Sequence, residues 1–127
     1  MKEIVYQAVA YLGIGRVFPF LKAVNCFIEE TLGLKLPLEN QNDPNPNRLE
    51  KGELAQVAIF GEEMRGYATS GDPKTMHIRK WLTDNCFGDY YTRGGLDYKQ
   101  REVIYFSVPI CTKVDASHKL LPMPKRI

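Results

Sequence analysis

The sequence predicts an α+β domain in which N-terminal helices pack on a small antiparallel sheet. Three observations predict it. Apolar residues recur at helical spacing early in the chain. Later runs are rich in β-branched and aromatic residues and are separated by glycine and turn residues. Helices come first and strands follow, an order that favours α+β over alternating α/β. With 127 residues and 44% hydrophobic content, the chain can bury the core of one domain. That domain is assigned to residues 1–115, with a tail at 116–127.

Lys2 to Leu12 reads as a helix because Ile4, Val5, Ala8, Val9 and Leu12 fall at helical spacing, and Gly13 and Gly15 punctuate its end. A second helix opens either at Pro19 or at Asn25. The stretch Asn25 to Leu32 is helical in both cases, and Gly33 is a natural residue to end it. Leu36 to Arg48 is polar, with two Asx-Pro steps, and reads as a loop. Leu54 to Phe60 reads as a strand, Gly61 to Glu63 as a turn, and Met64 to Thr69 as its hairpin partner. Thr75 to Leu82 reads as a strand or a short helix. Gly94-Gly95 breaks the chain. Glu102 to Val108 is the strongest strand, and Pro109 marks an edge or an end.

The tail from Ala116 to Ile127 contains two prolines and no periodicity. It is expected to dock on a protein partner or on another copy of the chain through Lys119, Leu120, Leu121, Met123 and Arg126. Net charge is +2, from 17 basic and 15 acidic residues. Nucleic-acid binding is not expected from so even a balance. Tyr90-Tyr91 beside Arg93, and Lys119, Lys125 and Arg126 in the tail, are the weak features that would point to it. No apolar run approaches a membrane span, and no membrane association is expected. Met1 to Leu12 lacks the features of a signal peptide, so synthesis in a cytoplasm is expected.

The three cysteines, Cys26, Cys86 and Cys111, are widely spaced, with no pair suited to zinc. No metal or other cofactor is expected. Cys26 stands out because a helical wheel puts it opposite the stripe Leu21, Val24, Phe27, Ile28 and Leu32. With Asn25 as the cap, Cys26 would open a helix, where the dipole and free amides stabilise a thiolate. The plainer alternative is a cysteine without a role. The pairs Glu29-Glu30 and Glu62-Glu63 read as solvated charges.

Ala10-Tyr11-Leu12-Gly13 is followed by Asn25-Cys26-Phe27, by Leu32-Gly33-Leu34-Lys35-Leu36-Pro37 and by Leu49-Glu50-Lys51-Gly52-Glu53-Leu54. In order and spacing, Ala8 to Phe60 resembles the NlpC-type cell-wall peptidases, which are papain-like cysteine hydrolases. The resemblance implies a papain-like fold with Cys26 as nucleophile and cell-wall peptides as substrates, and such domains occur in phage tails. Two registers remain for the base. One places Gln56 in the histidine slot and Tyr67 in the third polar slot, giving a degenerate site, since glutamine cannot take a thiol proton as imidazole does. The other uses His77 as base, oriented by Asn85 or Asp89. The other histidine, His118, falls in the tail. The function expected is a structural or assembly component, such as a virion protein with a degenerate peptidase-like fold. The alternative is an active cysteine peptidase or amidase using Cys26, His77 and Asp89.

Overall fold

The computed structural model describes residues 1–36 and 46–112, with side chains up to Val108. The tail residues Lys119, Leu120, Leu121, Met123 and Arg126, with His118 and Lys125, lie outside the described residues. So does Cys111 beyond its backbone.

The fold is all-α, which corrects the expected α+β class: no strand occurs among the described residues. The sheet implied by the peptidase resemblance is therefore missing from the described chain. Helix α1 spans Lys2–Leu12 and α2 spans Ile14–Cys26, continuing through wide π-helical turns at Phe27–Thr31. Helix α3 is Arg48–Phe60. Two single 3-10 turns, Glu62–Met64 and Tyr67–Thr69, stand where a hairpin strand was expected. Helix α4, Met76–Trp81, runs on as a π-helical extension over Leu82–Tyr91, and α5 is Tyr98–Thr112.

The two longest strand expectations failed for a similar reason. Leu54 to Phe60 is the second half of a helix whose first half, Arg48 to Glu53, is rich in helix formers. Its buried residues Gly52, Ala55 and Gln56 stand at i, i+3 and i+4, one helical face. Glu102 to Val108 likewise continues from Tyr98-Lys99-Gln100-Arg101, and burial of Arg101 fixes the helix face. A short apolar run does not distinguish strand from buried helix, so packing decides.

Gly13 takes φ 81, a left-handed value that suits glycine, and turns α1 directly into α2. The α2 helix packs on α1, which also carries α5 and meets the extension of α4. The closest helix pair is α3 with that extension. Two glycines allow it: a Cβ on Gly52 would collide with the Thr83 carbonyl oxygen, and one on Gly88 with the Arg48 carbonyl oxygen. Across this seam the buried Thr83 hydroxyl donates to Gln56 Oε1 at 2.9 Å. Arg48 bridges Asp84 and Asp89, each at 3.4 Å. Glu53 accepts the Gly66 amide at 3.0 Å, tying the following turns to α3. The apolar core gathers Ala55, Cys86, Phe87 and Tyr91, with Phe60 edge-on to Phe87 at 5.8 Å between ring centres. No helix among the described residues is long and apolar enough to cross a membrane.

Gly88→Ala is expected to cost about 3 kcal/mol in urea denaturation, the upper end for overpacking, because the collision is with backbone that cannot swing away. Gly15→Ala, on an open part of α2, should be neutral or stabilise by up to about 1 kcal/mol. Equal effects of the two changes would contradict the close α3–α4 crossing.

Candidate functional site

The densest polar constellation is built by α1, the α4 extension and α5. One face of α1 carries Glu3, Gln7 and Tyr11 at four-residue spacing. The extension of α4 brings Tyr91, and five residues before it Cys86, to the same side. That spacing suits the wide turns of a π-helix and not an α-helix. Helix α5 supplies Arg101 and Glu102.

Arg101 is fully buried. Its guanidinium donates to Gln7 Oε1 at 2.7 Å, and to the carbonyls of Arg93 at 2.6 Å and Gly94 at 3.3 Å. Those carbonyls lie just past the C-terminal end of the α4 extension, on the negative side of its dipole. Glu3 adds a carboxylate 3.8 Å away. From Gln7 the hydrogen bonds run onward in one sense. Gln7 Nε2 donates to the Tyr11 hydroxyl at 2.9 Å, and Tyr11 and Tyr91 hydroxyls meet at 2.9 Å. The Tyr91 hydroxyl donates to Glu102 Oε1 at 2.7 Å. The chain thus leaves Arg101 and returns to the next residue of the same helix, crossing α1 and the α4 extension on the way. Beside it, Arg93 pairs with Glu3 through two contacts of 2.9 and 3.0 Å and stacks on Tyr6 at 4.4 Å.

This arrangement favours neutral hydroxyl and thiol groups. Burial, and then the Glu102 carboxylate, push the Cys86 thiol up to about 12. Burial is also the leading cause that raises the Tyr11 and Tyr91 phenols well above their ordinary value. Groups held this firmly in their protonated forms make poor nucleophiles near neutral pH. The constellation joins helices.

An apolar niche of about 240 Å³ lies beside it, between α1, α2 and the α4 extension. Val9, Val17 and Leu21 are among its apolar lining, and Asp89 and Arg93 are its charged lining residues. Both charges are engaged, Asp89 by Arg48 and by Asn85 Nδ2 at 2.9 Å, and Arg93 by Glu3. The niche is small for a drug-sized ligand.

The residues singled out from sequence are scattered. Cys26 is the last residue of α2 and is exposed. The expected helix N-terminus at Asn25 does not exist, because Gly13 starts the helix well upstream. The dipole argument for a Cys26 thiolate therefore fails. His77 lies exposed near the start of α4, edge-on to Trp81 at 5.0 Å. Cys26 and His77 form no hydrogen bond with one another. Gln56 is buried in the α3–α4 seam, and Tyr67 carries Arg79 over its ring at 4.7 Å. Asp89 and Asn85 hold one another on the α4 extension. Tyr90 and Arg93 line the niche, while Tyr91 is a core residue. Glu29 and Glu30 are exposed, and Glu62 pairs with neighbouring Arg65 at 2.8 Å. Among the described residues, no three His, Cys, Asp or Glu side chains gather as a metal site.

Sequence reading missed the Gln7–Tyr11–Tyr91–Glu102 chain and the buried Arg101. The available signal was Glu3, Gln7 and Tyr11 recurring every four residues on a helix otherwise judged by its apolar positions.

The raised Cys86 and tyrosine values set a pH dependence. The folded state holds these protons more tightly than the unfolded chain, where Cys86 titrates near 9.0. Stability is therefore full below pH 9 and falls as pH rises toward about 12. The fall should reach about 1.4 kcal/mol per pH unit for each such group. Urea denaturation of wild type and Cys86→Ala should show the onset near pH 9 weakened in the variant. Identical curves would contradict this placement of Cys86.

No family model, curated protein or solved structure matches the chain.

Proposed function

We propose that the protein is a structural or assembly component: a small helical scaffold that binds other protein chains. The observation that supports this most is the number of large apolar side chains left outside a rigidly tied interior. Phe20 and Val103 are 65% exposed, Trp81 60% and Phe18 55%, on three separate helices. Single exposed apolar residues are ordinary, whereas several large ones left outside a small domain support contact surfaces on its helices. The chemistry of the interior supports the same reading, since its hydroxyls and its thiol are held protonated. Among the described residues, no base is hydrogen-bonded to the exposed Cys26.

Size-exclusion chromatography of extracts from the source organism tests this, with the chain followed by antibody. The chain is expected in a complex larger than its own dimer. Val103→Glu, Trp81→Glu or deletion of residues 116–127 should each be tried, and at least one should release it while circular dichroism remains helical. A chain that runs no larger than a dimer, and releases peptides from cell-wall material in a Cys26-dependent manner, would overturn the proposal in favour of a hydrolase.

A further inference from the structure

We infer that the outward face of α4, centred on Trp81, binds an acidic segment of another protein chain, one in which an apolar side chain lies between carboxylates. The inference rests on the assembly reading and deepens it by naming the chemistry of one partner.

The inward face of α4 is occupied. Arg79 lies over the Tyr67 ring at 4.7 Å and donates to Ser70 Oγ at 3.0 Å. One turn on, buried Thr83 is tied to Gln56. These two residues fix the rotation of the helix, so His77 and Trp81, also one turn apart, face solvent. Trp81 is 60% exposed, and Ile78 beside it is exposed too. The imidazole of His77 meets the indole edge-on at 5.0 Å. That contact steadies the indole before any partner arrives, which lowers the entropy lost on binding.

Cations frame this apolar pair. Lys74 precedes the helix and Lys80 adjoins Trp81, and both are exposed. Neither has an ion-pair partner among the described residues. The nearest carboxylates along the chain are turned to other groups. Asp72 accepts the Lys74 backbone amide at 2.9 Å, and Asp84 pairs with Arg48 at 3.4 Å. A chain laid over Trp81 and Ile78 therefore passes beside ammonium groups that no carboxylate of this helix contacts. Covering them without an anion would strip water from unpaired charges, which is costly. Carboxylates on either side of the buried apolar residue complement them instead.

Charge and size favour a peptide over other polyanions. A nucleic acid needs a track of cations along its phosphates, and the whole chain carries only +2. An anionic membrane needs a broad apolar helix face to enter it, and α4 offers only the Ile78 and Trp81 side chains.

Trp81 is the single tryptophan of the chain, so its fluorescence reports on this face directly. The probe is a synthetic peptide with a leucine-phenylalanine pair between two runs of glutamate, titrated into the full chain. The emission should shift to the blue and saturate with a Kd of ~10–100 µM, since the footprint is far smaller than a standard interface. The same peptide with glutamine for glutamate should bind about tenfold more weakly or worse. Lys74→Glu and Lys80→Glu should each weaken binding about three- to tenfold with an unchanged helical spectrum. Lys99→Glu, the same charge change on α5, should bind as wild type does. Raising salt from about 0.1 to about 1 M should weaken binding of the acidic peptide. A titration without a saturable shift overturns the inference, as does a glutamine peptide that binds equally well. So does a Lys80→Glu chain that binds as the Lys99→Glu chain does. Phosphatidylserine vesicles or single-stranded oligothymidylate that shift the emission at lower concentration than the peptide also overturn it. A chain that keeps its large complex in the extract while ignoring the peptide overturns only this partner chemistry. A chain that binds the peptide but runs no larger than a dimer in the extract overturns only the wider assembly reading.

Discussion

Arg101 carries a positive charge into a fully buried position, and three helices are arranged to tolerate it. Uncompensated, such a charge costs several kcal/mol. Here it is met by Gln7, by two carbonyls beyond the α4 extension and, at longer range, by Glu3. These partners come from distant parts of the sequence, so engaging the two terminal nitrogens of one guanidinium ties α1, the end of the α4 extension and the start of α5 together, while its Nε has no hydrogen-bond partner among the described residues. Hydrogen bonds aligned from Gln7 through Tyr11 and Tyr91 to Glu102 polarise one another and add to the rigidity. A network of this kind specifies one arrangement of helices more sharply than apolar packing alone.

The second organising feature is the glycine crossing of α3 and the α4 extension. Gly52 and Gly88 let backbone lie on backbone, which leaves little room for large side chains in that seam. The apolar residues of the two helices are then divided. Ala55, Phe87 and Cys86 go inward, while Leu54, Ile78 and Trp81 remain outside. Helix α2 shows the same division, burying Val17 while Phe18 and Phe20 remain outside. The fold therefore leaves apolar surface on several sides as a consequence of how its interior is tied. The proposed assembly role rests on those surfaces.

Parts of this were legible in the sequence. The α1 helix, its glycine end and a helix through Asn25 to Leu32 followed from spacing and punctuation. Two elements misled. Leu54 to Phe60 and Glu102 to Val108 look like strands when cut from their contexts, and they are helical because the residues before them start helices whose buried faces continue through them. The wide turns of the α4 extension were not readable, since a five-residue repeat at Cys86 and Tyr91 matches neither helical nor strand periodicity. The peptidase-like order of motifs gave Cys26 a role that its position at the end of α2 does not support. The polar interior was hidden for a related reason. Gln7 and Arg101 look like solvated residues until distant partners are in place, and no local pattern announces them.

Amide hydrogen exchange on the full chain, alone and within its complex, tests the central claim that a tied interior presents outer helix surfaces to other chains. The account predicts that α1, the α4 extension and the first half of α5 exchange slowly and together in the free chain, as one cooperative unit. Added protection on entering the complex should concentrate in α4, in α2 and on the outer side of α5. Free exchange of α5 independent of α1, or added protection confined to the interior helices with α2 and α4 unchanged, would contradict it.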